Sequence, residues 1–301
     1  MKTLYTNAHL YLDGNRAYEK GALLVEDGRI VQTYYQVPKS IDNDISVIDV
    51  EGDNILPSIF TYVDIDEYDV DEDFSKSLAL EGIAYFVASL TVDDGKAVDK
   101  LINFDPDRYR YSKCFGLHII FKRSDIPDEV CAWITTSPNI LSFSFEADID
   151  QKVIDIFKAA NRRVLITNSD KGRFSLNFDG CWGIYDKPFT LNPYKPNVYT
   201  TCLLKDNKYI SFDDSAYPDS LKLLFKIHDM RYLLAKGKLK NYIDLGLDLI
   251  DISNIMAMNY YRFYGIGKRY GGLLPGKEAS FIVVNKENEI IASFIKGDLV
   301  R

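Results

Sequence analysis

Residues 54–66 read NILPSIFTYVDID. Ile55, Leu56, Ile59, Phe60, Tyr62, Val63 and Ile65 are apolar or aromatic, and the chain enters the run through Pro57. Such density predicts a buried strand. The stretch before it, Gly21–Val50, has the texture of a small sheet: GALLVEDGRIV, then ISVID. The last stretch, Gly272–Arg301, matches that texture with GLLPGKEASFIVVN and EIIASFIKGDLV. Glu26-Asp27-Gly28-Arg29 between apolar runs predicts a type I′ hairpin, because glycine tolerates positive φ. Leu12–Asn15 and Asn285–Asn288 are further turn signals. Neither end is long enough to close a sandwich alone. Residues 1–56 and 272–301 are therefore expected to pair into one composite β-sandwich around the 57–271 segment.

That segment alternates short apolar runs with helical spacing. Strands are expected at Ile55–Ile65, Gly82–Leu90, Phe115–Phe121, Ile140–Glu146, Arg163–Thr167, Phe174–Phe178, Tyr199–Leu204 and Arg231–Leu234. Between them Val153, Ile156, Phe157 and Ala160 fall at i, i+3, i+4 and i+7, as do Leu221, Leu224, Phe225 and His228. Pro127 and Pro218 sit where a first helical turn tolerates proline. Gly183–Tyr199, rich in proline and aromatics, reads as a loop. Eight βα units predict an α/β fold with a TIM-type (β/α)8 barrel, contracted because roughly 210 residues fall short of the ~250 typical of that fold.

Composition narrows the function. The 301 residues are 47% hydrophobic, enough for one large core, and a formal net charge of -8 disfavours nucleic-acid and anionic-membrane partners. No apolar run approaches the ~20 residues of a membrane helix, and the N-terminus lacks a signal-peptide pattern. Cys114, Cys131, Cys181 and Cys202 fit no CxxC motif and read as reduced thiols, which points to the cytoplasm. The only histidines are His9, His118 and His228, few for a catalytic metal centre.

The three framing stretches together resemble the amidohydrolase superfamily, most closely N-acetylglucosamine-6-phosphate deacetylase. In that family a strand enters the barrel through a pattern like L-P-G-F-I-D-x-H-x-H-G. The resemblance implies a divalent metal and hydrolysis of an acetamide on a sugar phosphate, with metal-bound water attacking and an aspartate as base. Aligned on Pro57, the two metal-binding histidines fall on Val63 and Ile65. GLHIIFKR (116–123) resembles G-L-H-L-E-G-P, which puts His118 on the family's histidine and Ile120 on its metal-binding glutamate. ILSFSFE matches T-L-A-P-E through Glu146. The later metal histidines fall on Asn168 and Leu176, and the substrate-holding Asn-Ala on Asp179-Gly180. Asp206 matches an aspartate of L-I-A-D-G-x-H, and Tyr209 replaces its substrate-contacting histidine. The catalytic aspartate position falls on Ala235 in RYLLAKGKL. Hydrocarbon side chains cannot bind a hard or borderline cation, and alanine cannot take a proton. The Gly272–Ala279 motif, GLLPGKEA, is kept, followed by Ser280 where the family has aspartate.

The resemblance therefore implies a diverged deacetylase-like protein without a metal cofactor. Glu146, Asp206 and His118 remain candidates for metal-free acid–base catalysis, although His118 on an apolar strand equally reads as a satisfied core residue. Asp179, Gly180 and Tyr209 are candidates for substrate contact. The run Asp64–Asp73 reads either as a cation site or as acids welcomed by the N-terminus of the helix that follows. The expected partners are a sugar or other small molecule and a second copy of the chain. The Tyr-rich stretch MNYYRFYG (258–265) is a candidate face for that homodimer.

Overall fold

The computed structural model describes residues 1–13, 16–65, 72–92, 95–122, 126, 128–145, 152, 155–156, 159, 163–167, 181–184, 210–212, 218–227 and 229–300. In chain order the first strands are β1 (Lys2–Asp13), β2 (Arg16–Glu26), β3 (Arg29–Tyr34), β4 (Ile45–Asp49) and β5 (Asn54–Pro57). They are followed by β6 (Ile59–Asp64), β7 (Ile83–Val92), β8 (Lys113–Phe121), β9 (Ile140–Phe145), β10 (Arg163–Thr167) and β11 (Cys181–Ile184). The series ends with β12 (Ile210–Phe212), β13 (Leu233–Ala235), β14 (Phe281–Val284), β15 (Ile290–Ile295) and β16 (Asp298–Leu299).

Two sheets result. One has the order β16-β15-β14-β5-β1-β2-β3, with β4 paired to β1. Both chain ends build it: Phe281 to Val284 pair antiparallel with Pro57 to Asn54. Its hairpin at Asp27-Gly28 takes φ of 48° and 73°, the left-handed pair that a type I′ turn requires. The other sheet runs β6 to β13 in chain order, every neighbouring pair parallel. Parallel neighbours need crossovers, and the described ones include α1 (Glu72–Leu80), α2 (Gly95–Ile102), α3 (Asp128–Thr136) and α4 (Pro218–Ile227). Helix α4 starts on Pro218, as expected. The expected strands at Phe174–Phe178 and Tyr199–Leu204 lie outside the described residues. Positions six and seven of the sheet are instead held by β11 and β12, so Gly183 and Ile184, read as the start of a loop, are strand.

The 54–66 run is not one strand. Pro57 has no N–H to continue a ladder. Beyond it the Ser58 amide donates to Ser280 O at 3.2 Å, while the Ile59 amide donates to Gly82 O at 2.9 Å. The chain thus leaves one sheet at Pro57 and joins the other at Ile59, which resets the side-chain alternation.

One face of the parallel sheet carries Val63, Phe86, Leu90, Leu117, Ile119 and Phe121, in one cluster with Leu78 of α1, Leu101 of α2 and Ile134 of α3. The opposite face, here the inner face, carries Phe60, Tyr62, Tyr85, Val87 and Leu234. It packs on the end of a helical segment formed by α5 (Leu239–Asp244), α6 (Leu249–Ser253), a π-helical turn at Asn254–Met258 and α7 (Asn259–Phe263). The segment holds both edge strands. Asn259 Nδ2 donates to Leu233 O at 2.7 Å and Tyr260 OH to Ala235 O at 3.1 Å, while the Phe60 and Tyr260 rings stack at 5.2 Å. Pairing between β6 and β13 is not seen among the described residues. Met258, Asn259, Tyr260, Tyr261 and Phe263 are buried inside the chain, so the stretch read as a homodimer face is interior. Each such aromatic contributes about 2–3 kcal/mol by leaving water, more than an exposed interface residue of a lone chain would. No described helix is long and apolar enough to cross a membrane.

Candidate functional site

Strand β8 carries a bulge at Gly116, whose φ of +146° suits glycine alone. Pairing with β7 shifts register between Phe86 and Ala88, and pairing with β9 shifts between Leu117 and His118. The bulge changes which residues face inward. Phe115 belongs to the inner cluster, Leu117 and Ile119 to the outer one, and His118 meets the inner-face ring of Tyr62 at 5.4 Å. His118 is 2% exposed, and its Nδ1 lies 2.8 Å from Ser142 Oγ. Ser142 Oγ is 3.3 Å from Tyr264 OH, which in turn donates to Tyr62 OH. A chain of four polar side chains from β6, β8, β9 and the end of α7 thus runs across the inner face. Lys236, just past β13, places Nζ 5.0 Å from the centre of the Tyr62 ring.

Below this chain the interior is aromatic. Phe60 stacks on Phe115 and Tyr264 at 5.7 Å each, and Phe115 meets Tyr270 edge-on at 4.9 Å. At the junction with the other sheet, Tyr85 OH lies 2.7 Å from both Glu278 Oε1 and Ser280 Oγ. A phenol has one proton, so it donates to the carboxylate and accepts from the serine. Ser280, which stands where the resembled motif has aspartate, is thus a partner in a buried hydrogen-bond network. Burial pushes the Tyr85 phenol well above its ordinary range.

The expected metal positions need correction. Val63 and Ile65 belong to the outer cluster, because the break at Ser58 shifts the alternation by one residue. The inner-face residues beside them are Tyr62 and Asp64. Ala235 likewise lies in the outer cluster, and Lys236 is the residue that reaches the inner face. Ile120 follows His118 on the inner face by alternation. Glu146, Asn168, Leu176, Asp179, Gly180, Asp206 and Tyr209 lie outside the described residues, as does most of Asp64–Asp73.

The described inner-face side chains at this end are Tyr62, Asp64, His118, Ile120 and Lys236. One imidazole is bonded to a serine hydroxyl, a hydrocarbon follows it, and an ammonium stands over the neighbouring phenol. No three His, Cys, Asp or Glu side chains gather among the described residues. What the cluster offers is hydroxyl donors, an imidazole and one positive charge against aromatic walls. Tyr62, Ser142, Tyr264 and Lys236 were not legible as site residues. The alternation of ILSFSFE contains Ser142, but its partner Tyr264 lies 122 positions away. Replacing Ser142 with alanine removes the hydroxyl at His118 Nδ1 in a buried place. The expected loss is about 1–2 kcal/mol in urea unfolding, and a neutral result would separate His118 from this chain of bonds.

No known family model matches the sequence, and no curated protein matches it at the sequence level. Solved structures do match in shape. N-Acetylglucosamine-6-phosphate deacetylase from Pasteurella multocida superposes with a TM-score of 0.83 at 11% identity, covering 99% of each chain. The fold is that of the amidohydrolases. The Mycobacterium smegmatis N-acetyl-D-glucosamine-6-phosphate deacetylase gives 0.78 at 14% identity, covering 99% of this chain and 100% of that one. An enamidase described as a member of the amidohydrolase superfamily gives 0.70 at 13% identity, covering 100% and 96%. The resemblance drawn from the framing stretches and the structural neighbours agree on the same frame.

Proposed function

We propose that this chain is a diverged relative of the N-acetylglucosamine-6-phosphate deacetylases that does not carry out metal-dependent hydrolysis. It keeps a contracted barrel in which the helical segment 249–263 lies between the first and last strands, and it uses the inner face to hold a sugar or another small molecule. The observation that carries this reading is the set of described inner-face residues at the strand exits: Tyr62, Asp64, His118, Ile120 and Lys236, of which only Asp64 is a carboxylate. Where the family pattern has a glutamate ligand and an aspartate base, the inner face presents a hydrocarbon and an ammonium. A cation there would meet repulsion from Lys236, and a water molecule would find no carboxylate base on β13. The hydroxyls of Tyr62, Ser142 and Tyr264 with aromatic walls instead suit a polar ligand with an apolar face. The reading includes a cytoplasmic homodimer, for which light scattering should return twice the mass of the chain.

The deciding experiment is acetate release from N-acetylglucosamine-6-phosphate. Protein purified without chelator and supplied with zinc, iron or manganese is expected to release no acetate above a no-enzyme control. Metal-stimulated release that disappears with chelator overturns the reading.

A further inference from the structure

Three surfaces meet where β6 and β7 begin, away from the His118 cluster. The first is formed by Ile59, Ile83 and Glu81 of the α1–β7 turn, the second by the Gly237–Lys240 turn into α5, and the third by the tip of the β14–β15 hairpin, Asn288–Ile290. They enclose a cleft of about 270 Å³, close to the lower end of roughly 300–1,000 Å³ for small-molecule sites. Ile59, Ile83 and Leu239 are buried hydrocarbon beneath it. Lys238 and Lys240 make one wall cationic, and each of the other walls carries one carboxylate, Glu81 or Glu289.

Opposite charges that face each other across a surface ordinarily close into ion pairs. Here Glu81, Glu289 and Lys240 form none among the described residues. Each wall is ordered by its own bonding. In the hairpin tip, Asn285 Oδ1 accepts from the Glu287 and Glu289 amides at 3.1 and 2.8 Å, and Asn288 takes φ of 64°. On the second wall Tyr242 OH donates to Lys236 O. On the first, Gly82 at φ +82° lets Ile282 and Ile290 pack directly on the turn. The cleft is therefore lined by ordered turns, with charges of both signs around an apolar floor.

We propose that this cleft binds a small zwitterion with a hydrocarbon arm, of the class of a free branched-chain α-amino acid. Its carboxylate meets the Lys240 wall, its ammonium meets Glu81 or Glu289, and its side chain covers the isoleucine floor. None of the lining residues belongs to the Tyr62–His118–Ser142–Tyr264 chain, so this site stands or falls separately from the deacetylase reading.

The test uses L-leucine, 4-methylpentanoate (which lacks the ammonium) and isoamylamine (which lacks the carboxylate). Thermal shift and calorimetry are run on the full chain at low salt. At 10 mM, leucine is expected to raise the melting temperature by roughly 2–4 °C, as a ligand of about millimolar affinity does by mass action. Each single-charge analogue should bind about fivefold more weakly, as should leucine to Lys240→Ala and to Glu289→Gln. Both substitutions lie at the surface, and circular dichroism checks the fold of each. Salt at 0.5 M should weaken leucine binding through screening. The proposal is overturned if leucine produces no shift, if all three compounds bind equally, or if both variants bind leucine as the parent does. The analogue series decides the matter even if a variant does not fold.

Discussion

Replacing Gly116 with alanine is expected to lower stability by about 3 kcal/mol or more, a fall of roughly 5 °C or more in melting temperature. Two independent costs combine. A φ of +146° is a conformation that side chains rarely adopt, and a Cβ there would lie 2.2 Å from Asn139 O and 3.1 Å from Leu141 Cγ. Neither obstacle yields cheaply, because Asn139 O is backbone and already accepts the Leu117 amide at 2.7 Å. Relief requires the bulge to straighten, and a straight β8 would turn His118 away from Ser142 and Tyr62. Gly276→Ala is the control. Its φ is +86° but nothing lies within 4 Å of the added carbon, so only the conformational cost of about 1 kcal/mol applies. Urea unfolding of the two variants side by side reads the difference. Equal losses would mean that β8 does not carry a bulge of this geometry.

Stability is also expected to fall by several kcal/mol between pH 9 and 11. Burial pushes the Tyr5 phenol up to about 12 and the Cys114 thiol up to about 12, from ordinary values of 10.0 and 9.0. Burial likewise raises Tyr85 and Tyr261 well above the usual phenol range. All four side chains are 3% exposed or less. A group whose folded value is raised contributes its stability fully below the unfolded value and loses it as pH climbs toward the folded one. The unfolded chain gives up these protons first, so alkali draws the equilibrium toward unfolding. At about 1.4 kcal/mol per unit, Tyr5 and Cys114 alone cost roughly 4 kcal/mol at pH 11. Tyr85 and Tyr261 act with the same sign. Against a typical stability of about 5–15 kcal/mol, the urea midpoint should fall by at least roughly a quarter between pH 9 and 11. Phenolate absorbance should rise together with unfolding. A midpoint that stays flat through pH 11 is incompatible with these phenols being buried.

The frame was readable from local sequence alone. Turn chemistry at Asp27-Gly28, β-rich ends too short to stand alone, and apolar runs spaced by helical stretches are local signals, and local signals survive in a single chain. They placed β7, β8, β9 and β10 within two residues. What the sequence did not decide was which residue faces inward. One residue of offset reverses a strand's faces, and the offsets come from pairing: the change of sheet at Ser58 moved the inner positions from Val63 and Ile65 to Tyr62 and Asp64, and the bulge at Gly116 aimed His118 at Ser142. The fate of the Tyr-rich stretch was also tertiary. Alone, MNYYRFYG is as suited to a dimer face as to a core; it became core because Asn259 and Tyr260 bond the open carbonyls of β13 and the Tyr260 ring stacks on Phe60. Side-chain direction and the choice of packing partner depend on atoms far away in the chain, and only the tertiary structure brings those atoms together.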